Sequence, residues 1–250
     1  MSVKTKRRFE RHAEPLARVI KLKADHPALV EGRSLFPHTV RTPTPDEWVL
    51  KSGEHSSKLG SHVSKGRWRG MPIFTLSLEE RATCPHTCGH WRSCYGNHMQ
   101  WPRSVRWRHG PELIRSLTTE LECLSLRHEY GFAVRVHNLG DFYSVAYVRQ
   151  WAKWLDQFKP LHVFGYTAWP RGSRIGDAVI ALRDAQWDRF AVRLSNSPDD
   201  EKSANTVWEH PTGPVIEQGI VCPAQTGRAG SCGSCGLCWT TTRNIAFLAH

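Results

Sequence analysis

The period of apolar and polar positions changes repeatedly between residues 71 and 200. "MPIFTLSL" (71–78) is a short apolar run closed by turn residues, which predicts a strand. In "SVRWRHGPELIRSLTTELECLSLRHEYG", Leu113, Leu117, Leu121 and Leu124 recur at steps of three and four, the stripe of a helix with one buried face. "FAVRVHNLGDF" predicts a strand that ends in a Gly-Asp turn, and "SVAYVRQWAKWLDQF" a helix with Ser144 as its N-cap. The strand "LHVFGYTAW", the helix "GSRIGDAVIALRDAQW" and the strand "RFAVRLSNS" follow. Strands alternating with helices of this length imply right-handed βαβ units and a parallel sheet, the α/β class.

Consecutive units show no reversal of order, which favours a partial (β/α) barrel over an open sheet. Either architecture places ligands at the carboxyl ends of the strands. Four segments are expected to meet there: the cysteine loop after "MPIFTLSL", "HNLGDFYS", "TAWPRGS" and "SNSPDD". The domain reading is a basic N-terminal extension over 1–70, then a barrel-like domain over 71–250 with a cysteine cluster at 222–238. A short helix is expected over Lys4–Lys23, and a loop or hairpin over "KSGEHSSKLGSHVSKGRWRG".

Charge adds a partner to this picture. The 250-residue chain has a net charge of +11, and residues 1–70 hold fifteen Lys/Arg against seven Asp/Glu, or +8 of that excess. So uneven a basic balance suits a polyanion, and nucleic acid is the expected partner, with Lys65, Arg67, Arg69 and Arg171 as phosphate contacts. No apolar run approaches the ~20 residues that cross a bilayer, so no membrane span is expected. "MSVKTKRRFERH" lacks the apolar core of an export signal, which points to the cytoplasm, where thiols stay reduced.

In that compartment eight cysteines read as metal ligands before disulfides. "CPHTCGHWRSCY" places Cys84, Cys88 and Cys94 at C-x3-C-x5-C, and "CPAQTGRAGSCGSCGLCW" places Cys222, Cys232, Cys235 and Cys238 at C-x9-C-x2-C-x2-C. The run of two-residue gaps in the second group resembles iron–sulfur usage, while four cysteines also suit tetrahedral zinc. Glycines at 233 and 236 are expected to let backbone amides approach the sulfurs. Three cysteines in the first group leave one corner of a cube-shaped cluster open; His86, His90 or a terminal cysteine closing a zinc site is the alternative. The two groups sharing one centre is a further alternative. Cys123, between Leu121 and Leu124, reads as a small buried hydrophobe.

Strand, three-cysteine loop, helix, strand and Gly-Asp turn together resemble the opening of the radical S-adenosylmethionine enzymes, with five residues in the second gap where that superfamily has two. The resemblance implies a [4Fe–4S] cluster on Cys84, Cys88 and Cys94. It also implies S-adenosylmethionine held near Gly140 and Asp141, and Asn138 is expected to line the same pocket. Separately, "LSLEERATCPHTC…CYGN", "SVRWRHGPEL" and "VRVHNLGDFYSVAYVRQW" resemble the phage gene product 88 family over roughly 71–200.

Three functions follow as expectations. The first is an iron–sulfur enzyme, radical-S-adenosylmethionine-like, that modifies a nucleic acid or nucleotide, with one or two clusters and with Asp141 and His137 as catalytic candidates. The second is a base-exchanging transglycosylase with structural zinc and Asp141 as nucleophile. The third is a metal-stapled nucleic-acid-binding protein without catalysis. Asp141 also has a plainer reading, as a cap for the helix near Ser144, and His137 as a core histidine.

Overall fold

The computed structural model of the chain describes residues 20–56, 58–99, 105–208 and 213–249. Of the helix expected over Lys4–Lys23 only residues 20–23 fall within them, and these carry no helix.

Nine strands form one sheet. In chain order they are β1 (Lys51–Ser52), β2 (Ile73–Ser77), β3 (Phe132–Leu139), β4 (Leu161–Thr167), β5 (Phe190–Ser195), β6 (Ser203–Val207), β7 (Val215–Ile216), β8 (Gly219–Val221) and β9 (Ile245–Leu248). The spatial order is β1-β2-β3-β4-β5-β6-β9-β8-β7. Strands β2 to β6, β9 and β8 run parallel, while β1 and β7 close the two edges antiparallel. Three helices make the crossovers: α1 (Pro111–Arg127), α2 (Val145–Gln157) and α3 (Arg174–Ala185). Proline opens α1 at its first position, where no amide partner is lost. Ser144 caps α2 by accepting from the Tyr147 amide at 3.1 Å, and Ser173 caps α3 by accepting from the Gly176 amide at 3.1 Å.

All three helices pack on one face. Leu113, Leu117, Leu121 and Leu124 of α1, Trp151, Trp154 and Leu155 of α2, and Val179 and Leu182 of α3 form one core. Their strand partners are Phe132, Val134, Val136, Leu161, Val163, Phe190 and Val192. Each such side chain contributes roughly 1.5–3 kcal/mol by leaving water. Trp154 donates to Thr118 Oγ1 at 3.1 Å, which joins α2 to α1. Cys123 is exposed, contrary to the expectation, because it lies off the Leu stripe that turns to the sheet.

The alternate strand residues Ile73, Ala133, Phe164 and Ala191 point the other way, and two chain segments cover them. The first brings Leu59, Val63 and Trp68, so residues grouped by sequence with the basic extension are part of the packed body. The second brings Trp239 from the one-turn helix Leu237–Thr240. Trp68 stacks on Trp239 with ring centres 5.2 Å apart and planes 6° from parallel. The sheet therefore does not close into a barrel. The face that a barrel would turn inward is filled instead by these segments, and antiparallel strands end the ladder at both edges.

Candidate functional site

The cysteine loop leaves β2 and is fixed by two buried guanidiniums. Arg81, whose φ is +67° although it is not glycine, donates to Trp91 O at 3.1 Å and to Asn97 Oδ1 at 2.5 Å. Arg106 donates to Glu80 at 2.6 Å, to Gly96 O at 2.9 Å and to Met99 O at 3.0 Å. Carbonyls on both sides of Cys94 are thus held by side chains under the loop. A strained backbone at such a place is a common mark of a functional loop.

The Gly-Asp turn after β3 meets this loop. Gly140 has φ of +79°, and a Cβ there would stand 2.7 Å from both Leu78 Cβ and Thr83 Oγ1. Only glycine allows so close an approach. The Asp141 amide donates to Thr83 Oγ1 at 3.0 Å. Its carboxylate is buried and accepts from the Phe142 amide at 2.7 Å, from Thr167 Oγ1 at 2.8 Å and from the Ala168 amide at 2.7 Å. Asp141 thereby ties the ends of β3 and β4 together. Burial pushes its pKa up to about 7 against the opposing pull of these donors.

The loop also reaches the far strands. His90 Nε2 lies 3.3 Å from Thr206 Oγ1, Gly89 faces Asn196, and beyond them Arg171 and Arg183 both bind Asp200, at 2.7 and 2.8 Å. The four segments expected at the carboxyl ends of the strands do converge.

Cys84 has Cys88, Cys94 and Asp141 as electrostatic neighbours, and burial, reinforced by these groups, drives its thiol pKa far up. Burial also raises Cys88, and Cys94 to about 11. Against that, Cys88 accepts a backbone hydrogen bond from His90, and Cys94 one from the Gly96 amide at 3.4 Å. Amides two residues beyond a cysteine favour its thiolate.

The terminal cysteines gather elsewhere, on the sheet face opposite the helices. Cys222, Cys232 and Cys235 each have Cys238 as an electrostatic neighbour, and burial raises Cys222 to about 12. Cys235 accepts from the Leu237 amide, again two residues on. Arg193 fixes the segment by donating to the carbonyls of Cys238 at 2.9 Å and Arg243 at 2.9 Å, and to Thr241 O. Gly236, at φ +73°, makes the turn between Cys235 and Leu237. Gly233 serves packing rather than sulfur approach, since a Cβ there would lie 2.2 Å from His62 O. Among the described residues no three His, Cys, Asp or Glu side chains stand close enough to hold a single metal ion. A four-iron cluster is wider than one ion and takes a more open set of thiols.

The other predicted residues are scattered. His137 is buried against Phe142 and Tyr147, its Nε2 3.2 Å from the Tyr147 hydroxyl, and burial lowers its pKa to about 3. Asn138 reaches Ser77 Oγ at 3.5 Å. Arg67 pairs with Asp188 and donates to Trp239 O at 2.9 Å, so it staples the two covering segments. Lys65 and Arg69 are exposed, and Arg171 is bound to Asp200. The importance of Arg135, Tyr166 and Arg193 was missed as a set. Each is a polar residue inside an apolar strand, and the alternation places all three on one face.

Fold and site define an open, mostly parallel α/β protein with two separately placed groups of cysteines, one at the strand ends and one on the sheet face. The family model for Gene product 88 matches residues 48–241, and the chain belongs to that phage family. No curated protein and no solved structure matches the chain. Among the described residues no helix is long and apolar enough to cross a membrane.

Proposed function

We propose that the chain is an iron–sulfur enzyme, similar in arrangement to the radical S-adenosylmethionine enzymes, that modifies a nucleic acid or a nucleotide. One observation carries this reading: Cys84, Cys88 and Cys94 share a loop at the carboxyl ends of the strands, beside the close-packed Gly140–Asp141 turn. Those three thiols would hold a [4Fe–4S] cluster, and the turn Asn138–Asp141 would lie nearest to S-adenosylmethionine. Such a cluster, with three protein ligands, supplies an electron and an iron position open to a second molecule.

The chain's own residues orient and shield. Arg81 and Arg106 hold the loop carbonyls, so the thiols are arranged by side chains that are not ligands. Amides of His90 and Gly96 favour thiolate at Cys88 and Cys94. Asp141 fixes the two strand ends at which the loop rests. The same three donors speak against Asp141 as the nucleophile of a zinc transglycosylase, because a carboxylate so engaged must first break them.

The test is anaerobic purification followed by measurement of iron, sulfide and zinc per chain with the visible spectrum. Roughly four irons or a multiple, with equal sulfide, supports the proposal. Colourless protein with zinc alone, obtained although iron was supplied, overturns it.

A further inference from the structure

On the sheet face opposite the helices, the strand residues change from apolar to polar toward the carboxyl ends. Ile73, Ala133, Phe164 and Ala191 pack against the covering segments. Two residues on, the same face presents Thr75, Arg135, Tyr166 and Arg193. Tyr166 and Arg193 serve the terminal segment: the Tyr166 hydroxyl lies 3.0 Å from Cys238 Sγ, and Arg193 donates to the carbonyls of Cys238 and Arg243. Thr75 and Arg135 do not. They are direct partners in the register of β2 and β3, and Thr75 Oγ1 and Arg135 Nε are both buried with no hydrogen-bond partner among the described residues. Nor does Arg135 form an ion pair with a carboxylate among them. Its guanidinium lies over the Tyr166 ring, 5.9 Å from the centroid, and Phe247 braces that ring edge-on. The side chain is only half-buried, so its head stays within reach of a ligand. Lys58, an electrostatic neighbour, is exposed and of the same sign.

A guanidinium and a buried hydroxyl set side by side without partners are costly, and a ligand that accepts from both removes that cost. A phosphate does so, because the guanidinium fork fits two of its oxygens and a third takes the hydroxyl. We infer that Arg135 and Thr75 bind a terminal phosphate of the substrate, which makes the substrate class a phosphate monoester of nucleotide size. Arg135 stands four residues short of Leu139, the end of β3, or about 13 Å along the strand. Asn138 and Ser77, 3.5 Å apart, lie between it and the strand-end loop. A nucleotide with its phosphate on Arg135 thus extends its base toward the Gly140–Asp141 turn and the loop cysteines. A phosphodiester within a chain has to leave the site on both sides, and the packing of Ile73, Ala133 and Phe164 under the covering segments closes one of them. The inference rests on the nucleotide part of the function proposed above, and it does not depend on which metal the cysteines hold.

The experiment titrates the full chain, purified anaerobically with its metal content measured, by calorimetry at fixed salt. The probes are the ribo- and deoxyribonucleoside 5′-monophosphates and the matching nucleosides, with inorganic phosphate as competitor. At least one monophosphate is expected to bind about 10- to 100-fold tighter than its nucleoside and to be displaced by phosphate. Arg135→Gln is expected to remove that advantage and leave nucleoside binding unchanged, with Arg135→Lys retaining part of it. Thr75→Val is expected to weaken the monophosphate alone, by about 3- to 10-fold. Should Arg135→Gln fail to fold, Arg135→Lys and Thr75→Val decide, and unchanged monophosphate affinity in both overturns the inference. Equal affinity for monophosphate and nucleoside, binding of neither, or a folded Arg135→Gln that keeps the advantage also overturns it. Phosphate selectivity through Arg135 in protein that carries zinc alone, although iron was supplied, upholds the inference and overturns the iron–sulfur reading. Iron and sulfide without phosphate selectivity overturn the inference alone.

Discussion

Two buried titratable side chains four residues apart, His137 and Asp141, have opposite surroundings. Asp141 has three donors around its carboxylate, whereas His137 has the Tyr147 hydroxyl on one nitrogen and nothing on Nδ1. Burial therefore keeps His137 neutral, with its pKa lowered to about 3 from an unfolded value of about 6.5. Between those limits the unfolded chain binds the extra proton, so stability is complete above the unfolded pKa and falls as pH drops. The slope is about 1.4 kcal/mol per pH unit for this one group. Urea unfolding of wild type and His137→Gln at pH 6.5 and pH 4.5 measures it. The wild type is expected to lose about 2–3 kcal/mol more than the variant over that interval. Equal acid sensitivity of the two proteins would show that His137 is not held neutral by the core, and would return it to the candidates for chemistry.

The cysteine loop is an element whose order comes from ion pairs and carbonyl contacts beneath it, not from regular hydrogen bonding. Glu80 and Arg106 are both fully buried and paired, and Arg106 also reaches Thr39 Oγ1 at 2.8 Å. Replacing Arg106 by Met removes the closer of two cations from the buried Glu80, leaving Arg81 at 3.9 Å and the Ser34 hydroxyl at 2.9 Å, and is expected to cost about 3 kcal/mol. Hydrogen exchange should show the loss concentrated in 84–99 before the sheet opens; uniform loss across the chain would show that the loop is not a separate unit. This support was not legible in the sequence, because Arg81 and Arg106 flank the cysteines with nothing to mark them as internal. The helices were legible, since the Leu113–Leu124 stripe and the caps at Ser144 and Ser173 are local signals. Pairing of β9 with β6 was not, because Ile245–Leu248 joins Ser203–Val207 across a long excursion that no local period encodes. Cysteine spacing is a local signal that divides the thiols into a strand-end set and a terminal set, and strand alternation held the unused clue to Arg135, Tyr166 and Arg193.

At the scale of the whole molecule the basic residues that net charge counts alike fall into two kinds, engaged and free. Arg67, Arg171 and Arg193 are engaged with Asp188, Asp200 and backbone carbonyls, so they hold the fold together. Lys65 and Arg69 are exposed on the segment that covers the non-helical face, free of ion pairs among the described residues. Lys65 is also an electrostatic neighbour of Cys235. A polyanion drawn by this segment would thus lie over the terminal cysteines and away from the three helices. Binding of a fluorescent single-stranded oligonucleotide across a salt series tests that placement. Each contacted phosphate contributes close to one unit to the slope of log K against log salt, somewhat less on a single strand. Lys65→Ser and Arg69→Ser are each expected to reduce the slope by about one unit, with stability within about 0.5 kcal/mol of wild type. Arg67→Ser is expected to behave the other way, lowering stability through the lost tie between Trp239 and Asp188 more than it changes the slope. If Lys65→Ser and Arg69→Ser leave the slope unaltered while the wild type binds, the basic segment is not the nucleic-acid face. Recognition would then fall to the strand-end side, where Arg171 and the cysteine loop meet.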